Sequence, residues 1–444
     1  ANLFLENPSE FSRYAQDIVP VRNDTLNYKA HSIHYYWSLS NGAVTQFFNE
    51  LALPFEERAF KYDDLDNRAQ LHALAGVRWY IQYDPNKYLP YPFHDSKSFD
   101  YLGDLYYASE TESYLPFGYT CGSLISRATY NALPYLQRQQ SLLQAVVLEE
   151  LPPDTTEAPL SFTDAPIPFE ISHGSDILEL EGSYYALTDQ AELTLTFEGL
   201  PSCETYLLIE GLKAKGLTEW ELQTQSPTAP FLSEERDALS VYEKRSQKRA
   251  RHLFSGNAQF PVTCTSDILS TTFCYYTALT ESSYDRSDFL LNMGYAQEAQ
   301  HTITIRLPYR GVYTFENLSL SCLPLNNLSE ELDILRQEKL ENLTYEGNHI
   351  TGTITLSERK YLCLSLPYSK GWTAQVDSHP VPPQRANTMF TCLPLDPGTH
   401  TIELCYRTPG LTPGLLLTAL GLLTWLLYHI YEHKKSAPIT SDAP

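Results

Sequence analysis

The chain has 444 residues, 43% hydrophobic and 19% charged, with 54 acidic against 31 basic side chains and a formal net charge of −23. That length exceeds one ordinary core and predicts two or three domains, and the composition is that of folded material rather than disorder. The acidic excess repels phosphate backbones and anionic lipid, which excludes nucleic acid as a partner and predicts an outer part tethered to a membrane rather than adsorbed on it.

The opening stretch ANLFLENPSEFSRYAQD has neither a cationic start nor a long apolar run, so it does not read as a signal peptide, and the chain reads as a piece of something longer. Residues 1–150 predict a mixed α/β domain. In HSIHYYWSLSN (31–41), aromatic rings sit beside polar groups, a pattern that stacks on sugar rings and bonds their hydroxyls. His34, Tyr36 and Trp37, with Asn23 and Asp24 nearby in sequence, are therefore the candidate substrate contacts. The plainer reading of the same run is a strand packed on one face and wet on the other. KYDDLDNR (61–68) offers Asp63, Asp64 and Asp66. Clustered carboxylates hold divalent cations, which makes Asp63 and Asp64 weak metal candidates, but aspartates also cap helices, and capping is the simpler account. The pattern predicts a helix over Asp66–Ala75 closed by Gly76, then a strand over Val77–Tyr83. A second helix is predicted within 131–150, with Leu136, Leu143 and Val147 on one face.

LPPDTTEAP at 151–159 has the composition of a linker. From 160 to 327 alternation takes over, as in HTITIRL, where Ile303, Ile305 and Leu307 face one way, and the period of two predicts an antiparallel β-sandwich. A charged insertion at 232–256 breaks the pattern with the basic run Lys244–Arg251, read as a solvated loop or short helix. A linking helix follows at 328–344, capped by Ser329, with Leu332, Leu335 and Leu340 inward. Residues 345–408 predict a small β module of five short strands, in which Leu362, Leu364 and Leu366 point inward and Trp372, Ala374 and Val376 share a face. The whole reads as α+β: a mixed α/β domain, β-sandwich-like modules and one transmembrane helix at 411–431.

That last segment, LTPGLLLTALGLLTWLLYHIYEHKK, holds an apolar run of about 18 residues, within the roughly 17–25 of a spanning helix. Trp425, Tyr428 and Tyr431 gather at its far end, where rings prefer the interface, and Lys434 and Lys435 follow. The lipid bilayer is thus a predicted partner. The positive-inside rule places the tail 432–444 in the cytoplasm and the bulk of the chain outside it. The eight cysteines form no C-x-x-C pair, so zinc-ribbon and thioredoxin-like chemistry have no support. Cys264 and Cys274 are candidates to bridge a hairpin in an oxidising compartment. No phosphate-binding loop, nucleophile elbow or H-E-x-x-H motif is present.

SKGWTAQVDSHPV followed by DPGTHTIELCYRTPGLTPGLLLTALGLL resembles the C-terminal end of the YfhO-type bacterial membrane proteins. The residues that carry the likeness are Lys370, Gly371, Trp372, Val376, Asp377, Gly398, His400, Ile402, Tyr406, Pro409 and Gly410. The front agrees through the Arg-Tyr start of FSRYAQD, the Asn-Asp pair, the Tyr-Tyr-x-Ser run, LAGVRWY and ESYLPFGYT. Two departures are Asp377-Ser378 in place of the usual Asp-Gly turn, and Ala75 where Leu usually precedes the glycine. The resemblance implies a GT-C-type glycosyltransferase with many membrane helices and a polyprenyl-phosphate sugar donor. It also implies catalytic acids in early extracytoplasmic loops, a possible divalent cation, and a cell-envelope acceptor such as teichoic acid. This chain would be the extracytoplasmic domain and last helix of such a bacterial cell-membrane protein, packed on the upstream membrane helices, with no catalytic residue or cofactor of its own. The alternative is a single-pass surface protein whose β modules bind carbohydrate or protein.

Overall fold

The structure, a computed structural model, describes residues 11–17, 23, 25, 30–36, 40–54, 61–101, 103–279 and 286–435. The fold is α+β and rich in antiparallel sheet, and it ends in one long apolar helix.

The front of the chain builds a mixed five-stranded sheet. Arg13–Gln16 lies between His31–Ser32 and Val77–Gln82 in parallel pairing, and Asp104–Glu110 and His94–Tyr101 extend it antiparallel. The first helix expected here is shorter than its apolar pattern, Ala69–Leu74, because Asp66 and Asn67 hold left-handed backbone with φ of 59° and 51°. The second divides into Arg127–Ala132 and Tyr135–Ser141, since Pro134 has no N–H to continue a helix. Val147 then falls in the strand Val146–Leu148, so Leu136, Leu143 and Val147 share a core but not a helix face. The segment 151–159 is irregular yet docked, with the Ala158 N–H on the Leu124 carbonyl at 2.9 Å.

Residues 165–324 form a β-sandwich. One sheet has the order Ala165–Ile167, Asn317–Pro324, Cys203–Glu210, Phe289–Ala296. The other runs Phe169–His173, Ala191–Phe197, Thr302–Leu307, Gln259–Ser266, Ser270–Tyr276. Alternate residues of each meet in a common core, with Leu193, Leu195, Ile303 and Ile305 from one sheet against Leu207, Ile209, Leu291 and Leu320 from the other. The insertion is helical. Its basic run lies on Val241–Leu253, which Ser240 and Glu243 start with a reciprocal capping box and which buries none of its residues.

Leu328–Arg336 forms the linking helix, with Asn327 rather than Ser329 at its cap position. Leu332 and Leu335 are buried, and Leu340 is buried beyond the helix end. The strands that follow do not make one unit. Glu341–Glu346, His349–Leu356, Gly398–Tyr406, Trp372–Val376 and His379–Val381 form a five-stranded sheet. Lys360–Pro367, Gln384–Ala386 and Phe390–Leu395 instead join Gly118–Cys121, Leu124–Ser126 and Val146–Leu148 in a six-stranded sheet. Both faces of that sheet are covered. Leu362, Leu364, Leu393 and Leu395 pack on the five-stranded sheet, whereas Tyr361, Cys363 and Cys392 face the helices at the front. Double burial explains why KYLCLSL and FTCLPL are apolar almost throughout.

All eight cysteines are free thiols. Cys264 pairs in register with Thr271, and Cys274 with Pro261, so the two lie too far along the hairpin for the bridge the sequence suggested.

Candidate functional site

The strand Gly398–Tyr406 runs into the helix Leu411–Lys435 through residues 407–410 alone. The span Leu411–His433 is apolar, has 23 residues, and is exposed on every side. At 1.5 Å per residue it covers about 34 Å, enough for a hydrocarbon core of about 30 Å. Such a surface needs lipid or other membrane helices around it. Trp425, Tyr428 and Tyr431 are exposed near its far end, Lys435 closes it, and the side chain of Lys434 lies outside the described residues.

At the near end a cleft of about 710 Å³ opens beside Pro409. Trp372 and Tyr406 form one wall, with ring centroids 5.0 Å apart at 59°. The turn before Trp372 approaches that wall closely. A Cβ on Gly371 would stand 2.5 Å from the Arg407 carbonyl oxygen and 2.6 Å from the Tyr406 ring, so only glycine fits. Tyr368 also lines the cleft; its N–H donates to the Met389 carbonyl at 2.7 Å and its carbonyl accepts the Asn41 amide at 2.8 Å. Arg385 lines it too, donating to Gln46 Oε1 at 2.6 Å and to the Thr388 carbonyl, with Glu149 3.7 Å from Nη1. Lys370 stands exposed at the rim.

The hairpin behind this wall is locked by a carboxylate. Asp377 accepts the Thr401 N–H at 2.8 Å on one oxygen and bonds His400 Nδ1 at 2.7 Å with the other, while His400 Nε2 reaches the Asp396 carbonyl at 2.8 Å. The bond to Asp377 raises the His400 imidazole above its ordinary pKa, and the Thr401 N–H lowers that of Asp377.

The candidate glycan contacts sit elsewhere. The Asn23 side chain donates to the Tyr36 carbonyl at 2.6 Å and accepts the Tyr36 N–H at 3.0 Å, acting as a clamp on the short strand Tyr35–Tyr36. His34 is buried edge-on to Tyr14 at 5.2 Å. Tyr36 is 39% exposed. Asp24 and Trp37 lie outside the described residues. Asp64 accepts the Asn67 N–H at 2.7 Å and bonds His72 Nε2 at 2.7 Å, a loop-holding role, and among the described residues no three His, Cys, Asp or Glu side chains group as metal ligands.

Reading the sequence missed two constellations. One is the cleft, whose signal was the run YSKGW with a cation between aromatics. The other is a buried polar cluster joining the front domain to the sandwich. Arg68 has no exposed surface and donates to Asp66, to the Leu51 carbonyl, to Gln139 and to the Leu290 carbonyl. Beside it, buried Glu204 accepts the Ala69 N–H at 3.0 Å and the Tyr206 hydroxyl at 2.5 Å. These partners are dispersed along the chain, so no local motif announces them.

The family described as bacterial membrane protein YfhO matches residues 2–418. The chain belongs to the YfhO family. The uncharacterized protein YfhO of Bacillus subtilis (strain 168) is 23% identical over 412 residues, which cover 92% of this chain and 42% of that protein. The chain thus spans less than half the length of this relative. Among solved structures, the arabinofuranosyltransferase AftD from mycobacteria overlays with a TM-score of 0.15 at 15% identity, over 36% of this chain and 13% of AftD. A second AftD structure gives 0.15 at 9% identity, over 74% and 29%. Scores this low do not establish a shared fold.

Several residues of the YfhO pattern acquire physical roles here. Lys370, Gly371 and Trp372 make the turn beside the start of the last helix, and Asp377 and His400 lock the hairpin that follows. From the front, Arg13 donates to Ser365 Oγ at 2.9 Å and to the Ser365 and Ala75 carbonyls at 2.5 Å, binding the first strand to the last sheets. In the Leu-Pro-x-Gly-Tyr run, a Cβ on Gly118 would meet Leu340 Cβ at 2.7 Å.

Proposed function

We propose that this YfhO-family chain is the extracytoplasmic domain and last helix of a polytopic membrane glycosyltransferase. In this reading the parent protein uses a polyprenyl-phosphate sugar donor, with a divalent cation where one is required, to glycosylate a cell-envelope polymer such as teichoic acid. The chain carries no catalytic residue, packs against the remaining membrane helices, and keeps its tail 432–444 in the cytoplasm. Its part is that of a rigid collar which covers the donor site and shapes the acceptor path.

The observation that carries the collar role is the stiff join between sheet and helix. Gly371 is fitted against Arg407 and Tyr406, Trp372 packs on Tyr406, and Pro409 follows before the helix starts at Leu411. A joint built this way holds the outer domain at one height and angle above the bilayer. Family membership and the short coverage of the B. subtilis relative support the larger parent.

The test uses the full-length protein. Deleting its gene and restoring it should remove and return a glycan on an envelope polymer, read by mass spectrometry. Inserting Gly-Ser-Gly-Ser between Thr408 and Pro409 should abolish transfer while folding and membrane insertion persist. Unchanged transfer after insertion would end the collar reading. No glycan change on deletion would end the glycosyltransferase reading.

A further inference from the structure

We infer that the cleft beside Pro409 is a binding site for the phosphate headgroup of an anionic phospholipid in the leaflet that the helix enters. The inference goes beyond the function proposed above and does not depend on glycosyl transfer. It rests on three observations.

The first is position. Pro409 lines the cleft and the helix begins at Leu411, so the cleft opens within a turn of the point where the chain meets lipid.

The second is charge. The protein carries 54 acidic side chains against 31 basic ones. Yet among the described residues the cleft lining holds Lys370 and Arg385 and no carboxylate. Lys370 forms no ion pair or side-chain hydrogen bond among the described residues, and its ammonium stands exposed at the rim. Arg385 is held by Gln46 and Thr388 and paired with Glu149 at 3.7 Å, which offsets its charge, so the unpaired positive charge of the lining is that of Lys370. Arg407, two residues before Pro409, adds an exposed cation next to the cleft. A local positive field on a strongly acidic protein selects an anion, and the phosphate-bearing headgroups of the leaflet beside Pro409 are the nearest source.

The third is the wall chemistry. Tyr368, Trp372 and Tyr406 offer apolar faces with polar edges, the side chains that favour the headgroup level of a bilayer. A volume of about 710 Å³ suits a ligand of small-molecule size. Rings for the glycerol backbone and a cation for the phosphate meet both halves of a phospholipid head. A soluble glycan would need several convergent donors and acceptors, whereas the Asn41 and Ser369 side chains in the lining are already bonded to the main chain of Tyr368 and Ala43 and of Gly371.

The test is calorimetric titration of the whole 444-residue chain in a neutral detergent. Dihexanoyl phosphatidylglycerol is compared with dihexanoyl phosphatidylcholine and with inorganic phosphate. Phosphatidylglycerol should bind, phosphatidylcholine more weakly, and inorganic phosphate not measurably. Lys370→Gln should weaken phosphatidylglycerol about fivefold, the effect of one cation near an anionic surface, and Lys370→Glu should weaken it further. Lys370 is exposed, so both variants keep the fold, which near-ultraviolet circular dichroism confirms. Equal binding of both lipids would reduce the site to an apolar slot and overturn the inference. Binding of inorganic phosphate as tight as phosphatidylglycerol would assign the cleft to a free anion. Indifference to Lys370→Glu, or no binding of any probe, would equally overturn it.

Discussion

Arg68 donates to the main-chain carbonyl of Leu290 across 222 residues of sequence, and neither group sees solvent. The bond joins the loop ahead of a short front helix to a strand of the sandwich. Asp66 supports the same contact by accepting the Asn292 N–H at 2.7 Å. Removing one member of a buried charged pair leaves the other uncompensated. Arg68→Met should therefore cost about 3–5 kcal/mol in urea unfolding. Adding Asp66→Asn should return part of that loss. A double-mutant cycle with additive costs would show that the pair is not coupled.

Gly371→Ala places a methyl against the Arg407 carbonyl and the Tyr406 ring. Overpacking of this kind costs about 1–3 kcal/mol. The loss should appear as a lower denaturation midpoint with unchanged secondary structure. A midpoint equal to that of the parent chain would mean that the turn yields and the junction is not stiff.

The Asp377–His400 pair makes hairpin stability depend on pH in a defined direction. The His400 pKa is raised, so its contribution is complete below about 6.5 and is lost as pH rises through the folded value. The Asp377 pKa is lowered, so its contribution is present above about 3.9 and is lost as pH falls through the depressed value. The hairpin should be firmest between roughly pH 4 and 6.5. A proton NMR titration should place the His400 midpoint above 6.5, and Asp377→Asn should bring it down. A midpoint that ignores the substitution would disprove the contact.

Asp377 and Ser378 both hold left-handed backbone, with φ of 52° and 67°, in the two-residue turn between Trp372–Val376 and His379–Val381. This is the geometry for which Asp-Gly is favoured. Ser378→Gly relieves a left-handed penalty of about 1–2 kcal/mol and adds unfolded-state entropy of about 0.5–1 kcal/mol. A net gain of about 0.5 kcal/mol should follow in chemical denaturation. A loss would show that the Ser378 side chain holds the turn by a bond of its own.

The sandwich was legible through its period of two, and the last helix through its unbroken apolar run. Thr302–Leu307 alternates as read, and Ile303, Ile305 and Leu307 are buried. The final module was harder. Leu362 and Leu364 announce a buried strand, but nothing nearby says that its partner is Gly118–Cys121. The helix read across 131–150 failed at Pro134, where local chemistry outweighed a good apolar face. Site residues were least legible. Asn23 looked like a sugar contact by type, yet its amide mimics a strand edge for Tyr36. The cleft depends on Asn41 meeting Tyr368, a contact across 327 residues that composition cannot show.

The six-stranded sheet also sets an order of events during synthesis. Strands near residues 118–148 are closed by strands near 360–395, and the Val147 N–H waits for the Asn387 side chain 240 residues later. Until the ribosome has passed that point, Gly118–Cys121 offers an unpaired apolar edge, the kind that invites aggregation or a holding chaperone. The sandwich between them has all its strands in hand earlier and is free to fold first. Closure of the central sheet is thus a late, long-range step, completed shortly before the last helix is made.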